Sequence, residues 1–150
     1  MRALVQRVDY AAVRVDDTVV GEVGQGLLVF LGVGADDDDA DRAYVIRKVT
    51  GLRIFEDTTG RMNRSVIDVH GSILLVSQFT LYGDLRKGRR PGFDAAAAPE
   101  LALRHYQLAV AEMSQSVPVQ TGTFGAHMQV DLRNDGPATF WIDSRDCLQK

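Results

Sequence analysis

The sequence has one cysteine, Cys147, so no disulfide bond can form within the chain, which fits a reducing compartment. Residues 1–10 lack the long apolar segment of a signal peptide. No apolar run reaches the roughly 20 residues that a membrane-spanning helix needs. We therefore expect no secretion signal and no membrane partner.

The chain also lacks an excess of basic residues. It has 17 Lys and Arg against 20 Asp and Glu, a formal net charge of −3, which argues against a broad, nonspecific nucleic-acid binder. A protein that grips only the end of an RNA stays possible. With 45% hydrophobic residues in a chain of 150, we expect one globular domain spanning residues 1–150.

Two kinds of cofactor motif are missing. The glycines at 21, 24, 26, 32 and 34 do not follow the spacing GxGxxG, and we interpret them as turns of hairpins. The acidic run at 36–39 and the three histidines lack metal-ligand spacing. We interpret the acids as partners of free N–H groups at the start of a helix, and we expect no metal and no cofactor.

The hydrophobic pattern predicts many short strands and only two main helices. The helices are predicted at 39–50 and from Pro99 to about Met113. The main strands are predicted at 2–8, 12–15, 19–23, 27–33, 52–55, 119–121, 129–132 and 139–142. This pattern favours an α/β fold, a single domain with a largely antiparallel, barrel-like curved sheet. The order of the strands stays open at this point.

The stretch at 73–82, ILLVSQFTLY, begins as a buried strand and then changes character. Ser77, Gln78 and Thr80 bring three hydrogen-bonding side chains into a segment otherwise suited to a core. Because a buried polar group costs free energy unless it finds a partner, such a strand end is more typical of a pocket wall. A second stretch at 134–144, NDGPATFWIDS, places the turn dipeptide Gly136-Pro137 before an aromatic strand. We predict that the two stretches meet and form the active site.

The loop that follows the first stretch is basic, with Arg86, Lys87, Arg89 and Arg90 within five positions. A charge cluster of this kind is usually a solvated loop. Its place directly after the predicted pocket strand makes these four residues candidates for contact with phosphate groups.

Several segments together resemble the D-aminoacyl-tRNA deacylases of the bacterial type. The segments are RIFED at 53–57, SQFTL at 77–81, KGRRP at 87–91, TGTFGAHMQV at 121–130 and NDGP at 134–137. The N-terminal MRALVQRV and the later GLLVFLGV fit as well, so the resemblance covers nearly the whole chain. Some loop positions depart from the family pattern, among them Arg89, Gly92 and His127, and these departures concern contact with tRNA.

The resemblance implies a cytoplasmic hydrolase that cleaves the ester between a D-amino acid and tRNA, and also glycyl-tRNA mischarged on tRNA-Ala. It implies a homodimer with the active site at the subunit interface. It further implies that Gly136-Pro137 carries a cis peptide bond and reaches into the partner's pocket, where its carbonyls exclude an L side chain. For an isolated Gly-Pro pair a trans turn is commoner, because only about 5–6% of such bonds in folded proteins are cis.

The chemistry of ester cleavage assigns roles to these residues. Backbone N–H groups around Phe79 and Thr80 are candidates to bind the developing oxyanion, and the Gln78 amide suits the terminal adenosine. The resemblance implies that the ribose 2′-hydroxyl of the tRNA assists the reaction. Phe124 and Met128 suit either the pocket wall or the core, and the resemblance favours Phe124 at the site through its backbone carbonyl.

Two alternatives remain at this stage. The first alternative to the deacylase is an esterase with Thr80 as nucleophile, and the second is a non-catalytic dimer that binds RNA or a small molecule. A threonine nucleophile needs a nearby base, and the spacing of His70, His105 and His127 nominates none of them.

Overall fold

The computed structural model describes residues 1–86 and 88–147. The strands are β1 (Arg2–Val15), β2 (Thr18–Val23), β3 (Gly26–Gly32), β4 (Phe55–Glu56), β5 (Met62–Arg64), β6 (Ser72–Ser77), β7 (Val119–Thr121) and β8 (Gln129–Asp143). The helices are α1 (Asp39–Gly51) and α2 (Pro99–Met113), with 3₁₀ turns at Phe79–Tyr82 and Ser144–Cys147. Within the described residues, neither helix has the length and apolar content to cross a membrane.

Strand β1 organises the sheet because both of its edges are paired. One edge pairs with β3 and then with β2, and the other edge pairs with β8, all antiparallel. Strand β6 adds to β3 in parallel, and β7 adds to β6 in parallel, which gives the order β2-β1-β3-β6-β7. The prediction of a curved α/β sheet with two helices is confirmed, with parallel pairing at its centre.

The sheet curls until β2 approaches β7. A methyl group on Gly21 would collide with the carbonyl oxygen of Thr121, so only glycine permits this approach. The curvature makes the sheet nearly barrel-like, and it leaves β4 and β5 as a separate hairpin.

The central strands β3 and β6 are buried on both faces, which explains their nearly continuous apolar sequences. On one face, Leu27, Leu75 and their neighbours pack against the helices through Val45, Val49 and Met113. On the other face, a smaller cluster fills the inside of the curved sheet. Its members are Val8, Ala11, Val13, Val23, Leu28, Leu74 and Val76.

Both helices begin at residues that are typical of helix starts. Asp38 caps α1 by accepting from the backbone N–H groups of Ala40 and Asp41, and Asp41 completes a capping box. Pro99 lies at the first position of α2. The interpretation of the acidic run as a helix cap is therefore confirmed for Asp38, while Asp37 is buried and has other partners.

Several predicted strand bounds are wrong. The predicted strands at 2–8 and 12–15 are one strand, as are those at 129–132 and 139–142. The predicted turn at 134–137 lies within β8, because β1 and β8 pair with each other along their length and accommodate the extra residues as irregularities. The predicted strand at 52–55 shrinks to Phe55–Glu56.

We predict that Gly26→Ala lowers the free energy of unfolding by at least about 2 kcal/mol. A methyl group at this position would overlap the backbone carbonyl of Ser72, on the neighbouring strand, and backbone cannot move aside as a side chain can. Urea denaturation measures the change. The matched control is Gly24→Ala, since a methyl group there meets no atom within 4 Å. Equal stability of the two variants would contradict the close packing of β3 on β6.

Candidate active site

A cavity of about 790 Å³ opens where β6 ends. Its walls are largely apolar, and they include Val33, Val76, Phe93, Phe124 and Met128. A few polar groups converge on it, contributed by Ser77, Gln78, Asp94 and His127. An apolar cavity of this size with a small polar set is typical of a site for a small molecule or the end of a larger one.

The predicted strand at 73–82 stops at Ser77, earlier than the sequence indicates. The backbone N–H of Gln78 donates to the Leu31 oxygen at 2.8 Å, and the chain then turns into the 3₁₀ turn Phe79–Tyr82. Among the described residues, the backbone N–H groups of Phe79 and Thr80 have no acceptor, as expected at a helix start. Two free donors therefore lie directly after the polar residues of the cavity.

The Thr80 hydroxyl lacks the setting of a nucleophile. In the described part of the chain, its hydrogen-bond partner is the side-chain amide of Gln78, which donates to Thr80 Oγ1. An amide that donates cannot take a proton from the hydroxyl. His105 is buried with its Nδ1 3.0 Å from Arg42 Nη1, and the histidine that lines the cavity is His127.

Phe79 lines the cavity and is 55% exposed, and its ring packs edge-on against that of Phe93, at 4.9 Å between ring centroids. Phe124 and Met128, predicted for either wall or core, both line the cavity. Phe124 also packs on the core, with its ring 6.0 Å from that of Tyr106. The wall at this side of the cavity is thus an extension of the core.

Gly136 and Pro137 do not meet the stretch at 73–82 within one chain, so that prediction is wrong for a single protomer. Neither residue lines the cavity; Gly136 lies instead against Arg7, whose Nη2 would be 2.5 Å from an added methyl group. The predicted cis bond is also wrong, because no cis peptide bond occurs among the described residues. The trans form is intrinsically more stable by about 0.5–1 kcal/mol.

The pair lies instead in a bulge of β8 that protrudes beside Arg7. Gln6 pairs with Thr139 and Val8 pairs with Asn134, so four residues of β8 face one residue of β1. The Asn134 side chain closes the base of the bulge, donating to the Arg7 and Ala138 oxygens at 3.0 and 3.1 Å. Its Oδ1 accepts from Gln6 and Thr139, each at 2.9 Å.

Two more side chains hold the bulge. Thr139 Oγ1 donates to the Pro137 oxygen at 3.1 Å, and Arg7 Nε donates to the Asp135 oxygen at 3.3 Å. Arg7 Nε lies 2.9 Å from the Asp135 carboxylate. Gly136 adopts φ +100°, a conformation that favours glycine. Asp135, Gly136 and Pro137 are all exposed. The bulge is therefore anchored at its base and open to solvent at its tip.

The basic loop is closed by paired backbone hydrogen bonds between Asp84 and Gly92, at 2.7 and 2.9 Å. The Arg86 guanidinium donates to Asp84 at 2.7 and 2.9 Å and holds the pKa of this carboxyl at about 2. Arg86, Arg89 and Arg90 are all exposed, and Arg86 is already paired with Asp84. Lys87, the fourth predicted phosphate contact, lies outside the described residues.

Several cavity residues were not predicted from the sequence, among them Phe93, Asp94 and His127. They lie in loops that reach the cavity only through the packing of α2 and of the segment after β7, so no local pattern indicates them. An aromatic residue directly after a basic loop, as at Phe93, is the one signal that was available. Among the described residues, no group of three or more His, Cys, Asp or Glu side chains could hold a metal ion.

The fold and the site define a class of protein: a small mixed-sheet protein whose apolar cavity lies beside free backbone donors, a site suited to acyl-transfer chemistry. The sequence profile of the D-Tyr-tRNA(Tyr) deacylase family matches residues 4–143. This match extends over nearly the whole chain, and the chain belongs to this family of enzymes.

Relatives agree with this membership over nearly their full length. The D-aminoacyl-tRNA deacylase of Desulfitobacterium hafniense (strain DSM 10664 / DCB-2) is 57% identical over 96% of this chain and 97% of its own. That of Clostridioides difficile (strain 630) is 54% identical over the same shares. Among solved structures, a c-Myc DNA Unwinding Element Binding Protein superposes with a TM-score of 0.91 at 37% identity, covering 95% of this chain and 98% of that one.

A further solved structure supports the fold alone. It is described as a probable eukaryotic D-amino acid tRNA deacylase and is 20% identical, with a TM-score of 0.81 over 95% of this chain and 98% of that one. The curved sheet with two helices is thus the same in both structures although only 20% of the aligned residues are identical.

We predict that Asn134→Ala lowers the free energy of unfolding by about 1–3 kcal/mol, because it leaves two carbonyls of the bulge without their donor. Asp131→Ala is the control: Asp131 lies on the same strand, but its exposed ion pair with Arg14 is worth only about 0–1 kcal/mol. Urea denaturation of both variants gives the comparison. A cost at Asn134 no larger than at Asp131 would contradict the role of Asn134 in closing the bulge.

Proposed function

We propose that this protein hydrolyses the ester that joins a D-amino acid to the 3′ end of tRNA, releasing the free D-amino acid and tRNA. The observation that carries the proposal is the pair of free N–H groups at Phe79 and Thr80, beside an apolar cavity, in a chain of this family. We also infer that it works in the cytoplasm, where charged tRNA is used.

In this mechanism the protein stabilises the negative charge that forms on the ester carbonyl oxygen. As water attacks the ester carbonyl, negative charge develops on the carbonyl oxygen, and the N–H groups of Phe79 and Thr80 donate to it. The bond to the ribose 3′-oxygen then breaks, and that oxygen leaves as a hydroxyl. Since the Thr80 hydroxyl has an amide and no base as its partner, we assign the assisting role to the 2′-hydroxyl of the terminal ribose.

The cavity offers a place for each part of the substrate. The Gln78 amide donates and accepts, as recognition of the adenosine requires, and the exposed ring of Phe79 offers a surface on which a base stacks. Phe124 and Met128 form the wall beside the amino acid. Arg89 and Arg90 are exposed cations near this end of the molecule, and we assign them to the tRNA phosphates.

We infer that the enzyme is a homodimer with each site at the subunit interface. The outer edge of β8 has no strand partner in the described residues, and it exposes Leu132 and Trp141. A long unpaired edge with exposed apolar side chains is a surface on which a second chain adds. The tip of the bulge at Gly136 and Pro137 projects from the same strand, so association would bring it towards the partner's cavity.

We propose that the partner's bulge distinguishes D-aminoacyl esters from L-aminoacyl esters. Backbone placed against the α-carbon of the substrate would leave no room for an L side chain, whereas a D side chain points away. Glycine has no side chain to exclude, so a steric wall of this kind admits it. We therefore propose that glycyl-tRNA, including glycine mischarged on tRNA-Ala, is cleaved as well.

We expect the purified protein to release labelled amino acid from D-aminoacyl-tRNA and glycyl-tRNA but not from the L form.

A tRNA that ends in 2′-deoxyadenosine should be cleaved at a much lower rate, because its assisting hydroxyl is gone. Thr80→Ala should keep a substantial part of the rate with normal tRNA. Loss of nearly all turnover in Thr80→Ala, with the deoxy substrate still cleaved, would instead establish a threonine nucleophile. Binding of tRNA without any release would establish a binding protein.

Mixing two inactive variants tests the shared site. One variant carries a disabled cavity, Gln78→Ala with Phe79→Ala. The other carries Gly136→Val with Pro137→Ala, a bulge whose added valine side chain would occupy the place of the substrate in the partner's cavity. After exchange of subunits, half of the dimers hold one intact site of two, so about a quarter of the wild-type activity should return.

The control for this mixing experiment is each variant mixed with itself, which should stay inactive. Sedimentation of the unmixed variants confirms that both still form dimers. If the mixture also stays inactive while the subunits exchange, the site does not combine a cavity and a bulge from different chains.

A further inference from the structure

The second half of the 3₁₀ turn is held from the first strand of the sheet. Arg2 Nη1 donates to the Leu81 carbonyl at 3.0 Å, and Arg2 Nε donates to the Asp143 carboxylate at 2.9 Å. The same guanidinium lies over the ring of Tyr82, at 4.4 Å from its centroid. One side chain of β1 therefore joins the turn to β8.

This arrangement depends on the shape of the guanidinium. Its planar fork donates in two directions at once while its face stacks on an aromatic ring. The ring of Trp141 lies on the same group, at 5.8 Å. An ammonium group keeps the charge but cannot hold the carbonyl, the carboxylate and the ring together.

Tyr82 is fixed at its other end as well. Its hydroxyl donates to Asp37 at 3.1 Å, and Asp37 is fully buried, 2.6 Å from the ammonium group of Met1. The Gly34 N–H also donates to Asp37 at 2.6 Å, and an added methyl group on Gly34 would lie 2.8 Å from the Tyr82 hydroxyl. Burial raises the pKa of Tyr82 above its ordinary value, so the hydroxyl stays protonated and remains a donor.

We propose that Arg2 is a positioning residue for the reaction, which fixes the direction of the Phe79 and Thr80 N–H groups by holding Leu81 and Tyr82. A four-residue 3₁₀ turn has few and poorly aligned hydrogen bonds of its own, so its orientation is set by outside contacts. Donors to an oxyanion must lie about 2.7–3.1 Å from it, which leaves little tolerance for movement. The inference rests on the proposed function.

The test compares Arg2→Lys with Arg14→Lys. Arg14 lies on the same strand, pairs with the β8 residue Asp131 at 3.3 Å and is 39% exposed against 32% for Arg2. It also donates to a backbone oxygen, that of Asp17, but its contacts are at the other end of the strand. Both substitutions thus disturb an ion pair with β8 and a hydrogen bond to a backbone oxygen, but only Arg2→Lys releases the turn.

We expect Arg2→Lys to lower kcat for D-aminoacyl-tRNA by about tenfold or more, because misdirected donors stabilise the transition state poorly. KM should stay within about twofold, since the cavity walls are unchanged. Arg14→Lys should keep the wild-type kcat. Tyr82→Phe, which frees the turn from Asp37, should lower kcat in the same direction. Equal kcat in the two lysine variants, or a fall in kcat explained by loss of folded protein in urea denaturation, would overturn the proposal.

A second measurement does not depend on turnover. Hydrogen exchange of the amides at 79–81, followed by mass spectrometry, should be faster in Arg2→Lys than in Arg14→Lys, with exchange in β3 unchanged. Unchanged exchange at the turn overturns the positioning role even in an active enzyme. If the wild-type protein proves inactive on D-aminoacyl-tRNA, the proposed function fails, while the exchange result still decides whether Arg2 holds the turn.

Discussion

The site depends on one hydrogen bond, from the Gln78 N–H to the Leu31 oxygen, which is the last bond between β6 and β3. The chain leaves the sheet directly after it and folds back as a 3₁₀ turn. Gly32 permits this return, because a side chain there would lie 3.0 Å from the Gln78 oxygen and 3.2 Å from Leu81 Cβ. The free N–H groups of Phe79 and Thr80 are therefore a consequence of how the strand ends.

The parallel pairing at the centre of the sheet explains why the cavity lies where it does. Strands β3, β6 and β7 are mutually parallel, so their carboxyl ends meet at one edge. Ser77 is the last residue of β6, Val33 follows β3, Phe124 lies three residues after β7, and all three line the cavity. Ligand sites at the carboxyl ends of parallel strands are the general arrangement in open α/β sheets, and here the same rule holds in a curved sheet.

The features that could be predicted are those whose signals lie in neighbouring residues of the sequence. The cap at Asp38 and the start at Pro99 are local, so both helices were predicted with nearly correct bounds. The polar end of β6 was also local, and Ser77 and Gln78 do line the cavity. Gly136-Pro137 is locally typical of a turn, but it lies in a bulge that Asn134 and Arg7 hold through bonds between β8 and β1. No pattern in one strand carries that information.

Arg2 and Asp37 were not predicted because their side-chain partners are distant in the chain: Asp143 lies 141 positions from Arg2, and Tyr82 lies 45 positions from Asp37. The long strand β8 also contributes to the geometry of the site. Asp143 and Trp141 orient the guanidinium that holds the turn, and the outer edge of this strand is unpaired in the described residues. The strand that we propose as the surface for a second chain therefore also fixes the geometry beside the cavity, so the proposed association and the site geometry would depend on the same backbone.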